Sequence, residues 1–144
     1  MFRNPALIWL ITAAAGLTAN LFALRMGETF AQYRLPLFFP PVWLFLVGWI
    51  AALIFFAAAF TGMEEKSPQI TTSLYVALGL MIFWSLLFFR VELPLAAAVT
   101  GLVLTGVLLH MRRLAGAEDG KRFVPCCVWA GYMAYLNLGI CLMN

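Results

Sequence analysis

The sequence predicts an all-α membrane protein, a bundle of five transmembrane helices that forms one domain over residues 1–144. The first ground is composition: 65% of the residues are hydrophobic and 10% are charged, whereas soluble domains carry about 25% charged residues. The second is that five apolar stretches fill the chain, each close to the ~20 residues that cross a hydrocarbon core of ~30 Å. The predicted helices span residues 6–24, 42–62, 70–89, 93–111 and 123–143.

The first two helices have distinct sequence features. Thr12, Gly16 and Asn20 recur at four-residue spacing in the first helix, and such small-residue stripes let helix backbones approach closely in lipid. The connection to the second helix is long and rich in aromatic residues, so we expect it to fold onto the bundle or lie at the membrane interface. Pro40 and Pro41 stand where the second helix begins, a position that proline tolerates.

The remaining helices are delimited by proline and by short polar segments. Ser67-Pro68 marks the start of the third helix, and Pro94 opens the fourth. Because only Arg90–Glu92 connects them, the third and fourth helices are predicted to form a tight antiparallel hairpin. A loop containing Gly116 and Gly120 is predicted before the fifth helix.

The distribution of positive charge predicts the orientation of the chain. One set of loops holds six Lys and Arg residues and the other set holds three, and cytoplasmic loops are the richer in Lys and Arg. The N-terminus is therefore predicted to be cytoplasmic and the C-terminus outside. Because the charges are scattered over loops, they give no sign of a nucleic-acid partner. The two sets are Arg3, Lys66, Arg112, Arg113, Lys121 and Arg122, and Arg25, Arg34 and Arg90.

Several chemistries are absent from the sequence. No Asp, Glu, Lys or Arg lies near the middle of a predicted helix, although ion-coupled transporters usually keep such a group. No hydrolase triad or phosphate loop is present, and Cys126, Cys127 and Cys141 lack metal-binding spacing. We therefore assign no catalytic residue, no metal site and no resident cofactor, and an enzyme is less favoured than a binding or transport protein.

Aromatic residues are the most informative feature of the helices. Phe45 and Trp49 share a face of the second helix with Gly48, and Trp84 and Phe88 share a face of the third by i, i+4 spacing. Aromatic rings with a few polar groups suit a flat, mostly apolar ligand. Taken alone, the same spacing is also typical of plain packing, and Trp43 also fits an interface anchor.

Three segments carry a resemblance to a known family. They are Pro36-x3-Pro40-Pro41-x-Trp43-x-Phe45-x3-Trp49, Trp84-Ser85-x-Leu87-Phe88-Phe89 and Pro125-x3-Trp129-x5-Tyr135-Leu136-Asn137. The chain resembles the TspO/MBR family of tryptophan-rich sensory and translocator proteins. It departs from the family where Ala77 and Met81 replace the usual Gln and Asn of the third helix, and where Leu86 replaces the usual Pro. These departures indicate a divergent bacterial member.

The resemblance implies a five-helix bundle, often a homodimer in the lipid bilayer, with a pocket capped by the first loop. Its ligands would be porphyrin, haem or other hydrophobic small molecules. Trp49 and Trp129 align with tryptophans implicated in light-driven porphyrin breakdown in some members. The implied pocket residues are Trp43, Phe45, Trp49, Trp84, Phe88, Trp129 and Asn137, and the implied lid residues are Pro36, Pro40 and Pro41.

The function expected from the sequence is therefore that of an integral membrane receptor or carrier for porphyrin-like or other flat hydrophobic ligands. One alternative is an enzyme that degrades porphyrin under light. Another is a small structural or regulatory membrane subunit whose aromatic residues only pack.

Overall fold

A computed structural model describes residues 4–63 and 67–144 of the chain. It contains five long helices, which confirms the predicted all-α bundle. Two short helices stand in the connections, and α4 continues into a π-helical turn. The elements are α1 (Pro5–Phe22), α2 (Met26–Ala31), α3 (Val42–Thr61), α4 (Pro68–Ser85) with the π-helical turn Leu86–Arg90, α5 (Pro94–Leu114), α6 (Gly116–Gly120) with the 3₁₀ turn Lys121–Phe123, and α7 (Val124–Met143).

The helix starts follow the sequence closely. The Asn4 side chain accepts a hydrogen bond from the Ala6 N–H at 3.0 Å, and Ser67 accepts one from the Ile70 N–H at 3.3 Å. Both residues are followed by proline, which suits the first helical turn because its missing N–H would have no intrahelical partner. α1 and α4 thus begin where a side-chain cap and a proline coincide.

Two connections differ from the sequence prediction. The first loop contains α2, and the segment predicted as a loop before the fifth helix is helical as α6 and a 3₁₀ turn. Gly116 has a φ of +85°, which breaks the axis between α5 and α6 at a residue without a side chain. The polar composition of this segment indicated a loop, but its polar residues lie on the surface of a short helical corner.

The long helices form a closed ring in which each packs on two neighbours. In order round the ring the helices are α1, α4, α5, α7 and α3, and α3 returns to α1. The contact between α5 and α7 is the most extensive. This arrangement leaves a central space that α3, α4, α5 and α7 face.

The outer surface of the ring is apolar. On α3, the exposed residues Trp43, Val47, Ile50 and Ile54 form one stripe at helical spacing. All five long helices have the length and composition to cross a membrane. An apolar exterior of this extent is stable in lipid and not in water, so the chain is an integral, multi-pass membrane protein.

The connection after α3 and the connection before α7 lie at the same end of the bundle, as the charge analysis assumed. Arg122 Nη1 donates a hydrogen bond to the Gly62 carbonyl at 2.6 Å, which joins the end of α3 to the start of α7. Arg3 and Lys66, which contributed to the charge comparison, lie outside the described residues. The cytoplasmic placement of the N-terminus stays a prediction.

A buried hydrogen bond joins α1 to α4, and we expect its loss to be measurable. Ser85 Oγ donates to the Ala19 carbonyl at 2.7 Å, and Ser85 is almost fully buried. Ser85→Ala should lower the free energy of unfolding in bicelles by about 0.6 kcal/mol, the average for interhelical hydrogen bonds in membranes, and by no more than about 1.7 kcal/mol. Ser73→Ala is the matched control, because Ser73 bonds within its own helix. Equal effects of the two substitutions would contradict this assignment.

Candidate functional site

A cavity lies at the centre of the ring. The cavity has a volume of about 60 Å³, counted as the space that the centre of a water molecule can occupy. Residues of α3, α4, α5 and α7 line it, and no described residue of α1 is among them. The lining consists of Trp49, Ala52, Leu53, Phe56, Ala77, Leu78, Met81, Trp84, Gly101, Leu104, Leu108, Cys126, Trp129, Ala130 and Met133.

Three indole rings from three helices meet on the cavity wall. The rings of Trp49 and Trp84 stack with centroids 5.3 Å apart and an interplanar angle of 29°. Trp129 enters from α7 and lies against the backbone of α3 at Gly48, where an added Cβ would overlap its six-membered ring. Glycine at position 48 therefore makes the room that Trp129 occupies.

A stack of aromatic rings closes the cavity on the side of the first loop. Phe45 and Trp49 are parallel, with an interplanar angle of 7° and centroids 6.4 Å apart, and Trp84 and Phe88 are equally parallel at 5.7 Å. Phe30 of α2 lies in the middle, with its centroid 5.2 Å from Phe45 and 5.7 Å from Phe88. The stack separates the cavity from the loop.

The π-helical turn after α4 is part of this stack. It begins at Leu86, where the Val91 N–H donates to the Leu86 carbonyl at 3.0 Å, an i→i+5 bond. The turn carries Phe88 parallel to Trp84 and Phe89 at 84° to Phe88. π-Helical turns within α-helices occur frequently at functional sites, and this one sets the angles of two rings.

A second aromatic group lies at the opposite end of the cavity. Phe56 forms part of the cavity wall and packs edge-to-face on Phe123, with centroids 6.3 Å apart. Phe60, Met111 and Phe123 are fully buried there. Aromatic groups therefore stand at both ends of the cavity.

The cavity wall offers few polar groups. Ala77 and Met81, which stand where the family resemblance implies Gln and Asn, both line it with apolar atoms. The indole N–H groups of Trp84 and Trp129 are buried and have no hydrogen-bond partner among the described residues. Leaving a buried donor unpaired costs about 1–3 kcal/mol, so these two groups would gain from an acceptor on a ligand.

The structure brings together most of the residues named from the sequence. Trp49, Trp84 and Trp129 line the cavity, and Phe45 and Phe88 stand behind them in the stack.

Two of the named residues lie elsewhere. Trp43 faces outward with 66% of its surface exposed, so the structure separates it from the cavity. Asn137 is buried, but its Nδ2 donates to the Met133 carbonyl at 2.8 Å, and it is not part of the cavity lining. Whether any of the seven named residues binds a ligand stays a prediction.

The three proline residues named as a lid lie in the first loop, which is tied to α7. Pro36 and Pro40 are buried, and Pro41 precedes the first turn of α3. Asn144 holds Arg34 through two hydrogen bonds of 3.0 Å, one to its N–H and one to its carbonyl. No sequence pattern indicates this contact, because the two residues are 110 positions apart.

Tyr33 connects the same loop to the aromatic stack. Its ring centroid lies 6.0 Å from that of Phe88. Burial and then the negative charge of Glu92 raise the pKa of the Tyr33 phenol above its ordinary value.

Five membrane-spanning helices around a cavity walled by tryptophan define a small, tryptophan-rich class of membrane protein. A model of the TspO/MBR family matches residues 7–143 of this chain. The chain therefore belongs to the TspO/MBR family, as its motifs predicted.

Three similar proteins agree with this assignment. The tryptophan-rich protein TspO of Archaeoglobus fulgidus is 27% identical, over 94% of this chain and 93% of that protein. The tryptophan-rich protein TspO of Chlorobaculum tepidum is 30% identical, over 73% and 72%. The translocator protein homolog of Schizosaccharomyces pombe is 28% identical, over 81% and 78%.

Proposed function

We propose that this protein is a membrane receptor or carrier that binds porphyrin-like or other flat hydrophobic molecules in the cavity among α3, α4, α5 and α7. The observation that carries the proposal is that Trp49, Trp84 and Trp129, from three different helices, all line the cavity. Their flat faces suit stacking with an aromatic ligand. Apolar pockets with a few polar groups are typical ligand sites.

The size of the cavity constrains how such a ligand would bind. A water molecule needs about 10–15 Å³ by this measure, so about 60 Å³ holds only a few waters. A flat tetrapyrrole is much larger, and its binding requires the stacked rings to separate. The parallel pairs Phe45–Trp49 and Trp84–Phe88 would then exchange ring–ring contacts for ring–ligand contacts.

The composition of the wall points to recognition by stacking and apolar burial. With Ala77 and Met81 in place of amide side chains, α4 offers no side-chain donor between Tyr75 and Trp84 to a ligand. The indole N–H groups of Trp84 and Trp129 would supply the hydrogen bonds. A ligand with nitrogen or oxygen acceptors at the edge of a flat ring system fits this pattern.

Titration of the protein in nanodiscs with protoporphyrin IX, followed by the porphyrin absorbance, tests the proposal. We expect saturable binding beyond the signal of empty nanodiscs, which measures partition into lipid. Binding that rises without saturation, equal to that of empty nanodiscs, would contradict it. That outcome is the one expected of a structural or regulatory subunit without a ligand.

A second candidate function is light-dependent breakdown of the porphyrin. It is favoured by the position of both Trp49 and Trp129 on the cavity wall. Illumination of the saturated complex would then yield a product that Trp49→Phe and Trp129→Phe no longer form. Recovery of unchanged porphyrin from the wild-type complex would leave the receptor or carrier function.

We also propose an orientation in the membrane and an oligomeric state. The N-terminus is placed in the cytoplasm because of the greater number of Lys and Arg residues on that side. A homodimer is proposed from the family resemblance.

A further inference from the structure

The first loop runs down the side of α7 instead of crossing the end of the bundle. Successive loop residues contact α7 residues that lie progressively farther from its C-terminal end. The hydroxyls of Tyr135 and Tyr132 donate to loop carbonyls, the first at 3.0 Å, and a Cβ at Gly139 would lie 2.5 Å from Pro36. In chain order the pairs are Arg34 with Asn144, Pro36 with Gly139, Leu37 with Tyr135, and Phe38 with Tyr132.

The tip of the loop therefore lies beside the membrane-spanning part of α7. Tyr132 precedes Asn144 by twelve positions, which is about 18 Å along an α-helix and more than half of a ~30 Å hydrocarbon core. Helical side chains lean toward the N-terminus, so the Tyr132 hydroxyl is not directed back toward the Asn144 end. The contact of Phe45 with Trp129, at 6.1 Å between centroids, places the start of α3 at the same depth.

The backbone of the loop has features that suit a medium without water. Irregular backbone at membrane depth is stable only when its polar groups find partners in the protein. The carbonyls of Leu37 and Phe38 accept hydrogen bonds from the two tyrosine hydroxyls. Pro36, Pro40 and Pro41 have no N–H group that would need a partner.

The side chains at the tip of the loop point away from the protein. Leu37 is 73% exposed and Phe38 is 77% exposed. Phe38 has a φ of +65°, an uncommon left-handed conformation for a large residue, and the two tyrosine bonds hold the carbonyls on either side of it. Trp43, which begins the lipid-facing stripe of α3, follows five positions after Phe38.

We propose that the tip of the first loop, Leu37-Phe38, is inserted into the hydrocarbon region of the bilayer beside α7 and contacts lipid acyl chains. The tip is apolar and exposed, and its two carbonyls accept hydrogen bonds from α7. The loop is thus held on one side by hydrogen bonds and on the other by lipid. This inference does not depend on which ligand the cavity binds.

Fluorine NMR in nanodiscs tests the depth of the tip. Trifluoromethyl-phenylalanine is placed at position 38 in the full chain, and its resonance is recorded with nitroxide-labelled acyl chains and, separately, with a water-soluble paramagnetic chelate. Two controls use the same label. Position 30 is buried in the aromatic stack, and position 28 of α2 carries an exposed side chain in the wild type.

We expect acyl-chain nitroxides to broaden the resonance at position 38 several-fold more than the chelate does, with the reverse order at position 28 and little effect of either at position 30. Broadening at position 38 mainly by the chelate would overturn the inference, because the tip would then lie in water. Broadening by neither agent would also overturn it, since protein, such as a second copy of the chain, would cover the tip.

Discussion

Replacing Trp129 or Trp49 with alanine is expected to weaken protoporphyrin IX binding by at least about fivefold each. The estimate follows from the contribution of one aromatic pair, about 1 kcal/mol. Both rings line the cavity, whereas Trp43 stands on the same helix as Trp49 and faces outward with 66% exposure. Dissociation constants are measured by absorbance titration in nanodiscs.

Trp43→Ala is the matched control for this comparison. It removes the same side chain from the outer surface, so we expect its dissociation constant to stay within about twofold of the wild-type value. Thermal unfolding of each variant checks that the bundle is intact. Unchanged affinity in both Trp49→Ala and Trp129→Ala, with the fold retained, would remove these rings from the site.

Gly48→Ala is expected to lower the free energy of unfolding by about 1–3 kcal/mol, the usual effect of overpacking a filled interior. The added Cβ would overlap the six-membered ring of Trp129 and lie 2.9 Å from its Cζ2 atom. Because Trp129 packs directly on the α3 backbone, the ring or the helix must shift. Reversible unfolding in bicelles provides the measurement.

Gly79→Ala provides the control for this second substitution. A Cβ at Gly79 would meet no atom of the described residues within 4 Å, and alanine is favoured over glycine in a helix interior. Gly79→Ala should therefore leave stability unchanged or raise it. If Gly48→Ala costs as much stability in a Trp129→Leu background as in the wild type, the clash is not the cause.

The five-helix fold was predictable because it depends on length and hydrophobicity, which a single sequence displays. The pairing of Trp84 with Phe88 was predictable too, since i, i+4 spacing fixes it within one helix. The orientation of Trp43 was not, because α3 is apolar on all sides. A helix without a polar face carries no periodic signal for the side that lipid covers.

The parts of the site that depend on distant residues were also missed. Phe30 lies at the centre of the aromatic stack, yet the six residues of α2 are too few to show helical periodicity. The tyrosines of α7 were visible as polar groups, but their partners are backbone carbonyls of the first loop. Contacts between a helix and an irregular segment leave no spacing rule in the sequence.

The central claim is that a flat ligand sits against the three tryptophans of the cavity wall. Incorporating 5-fluorotryptophan labels all five tryptophans, and single Trp→Phe variants assign their fluorine resonances. On saturation with protoporphyrin IX, the ring current of the porphyrin should shift the resonances of Trp49, Trp84 and Trp129 and leave the exposed Trp9 and Trp43 in place. Saturable binding that shifts only Trp9 and Trp43, or no tryptophan at all, would contradict the account.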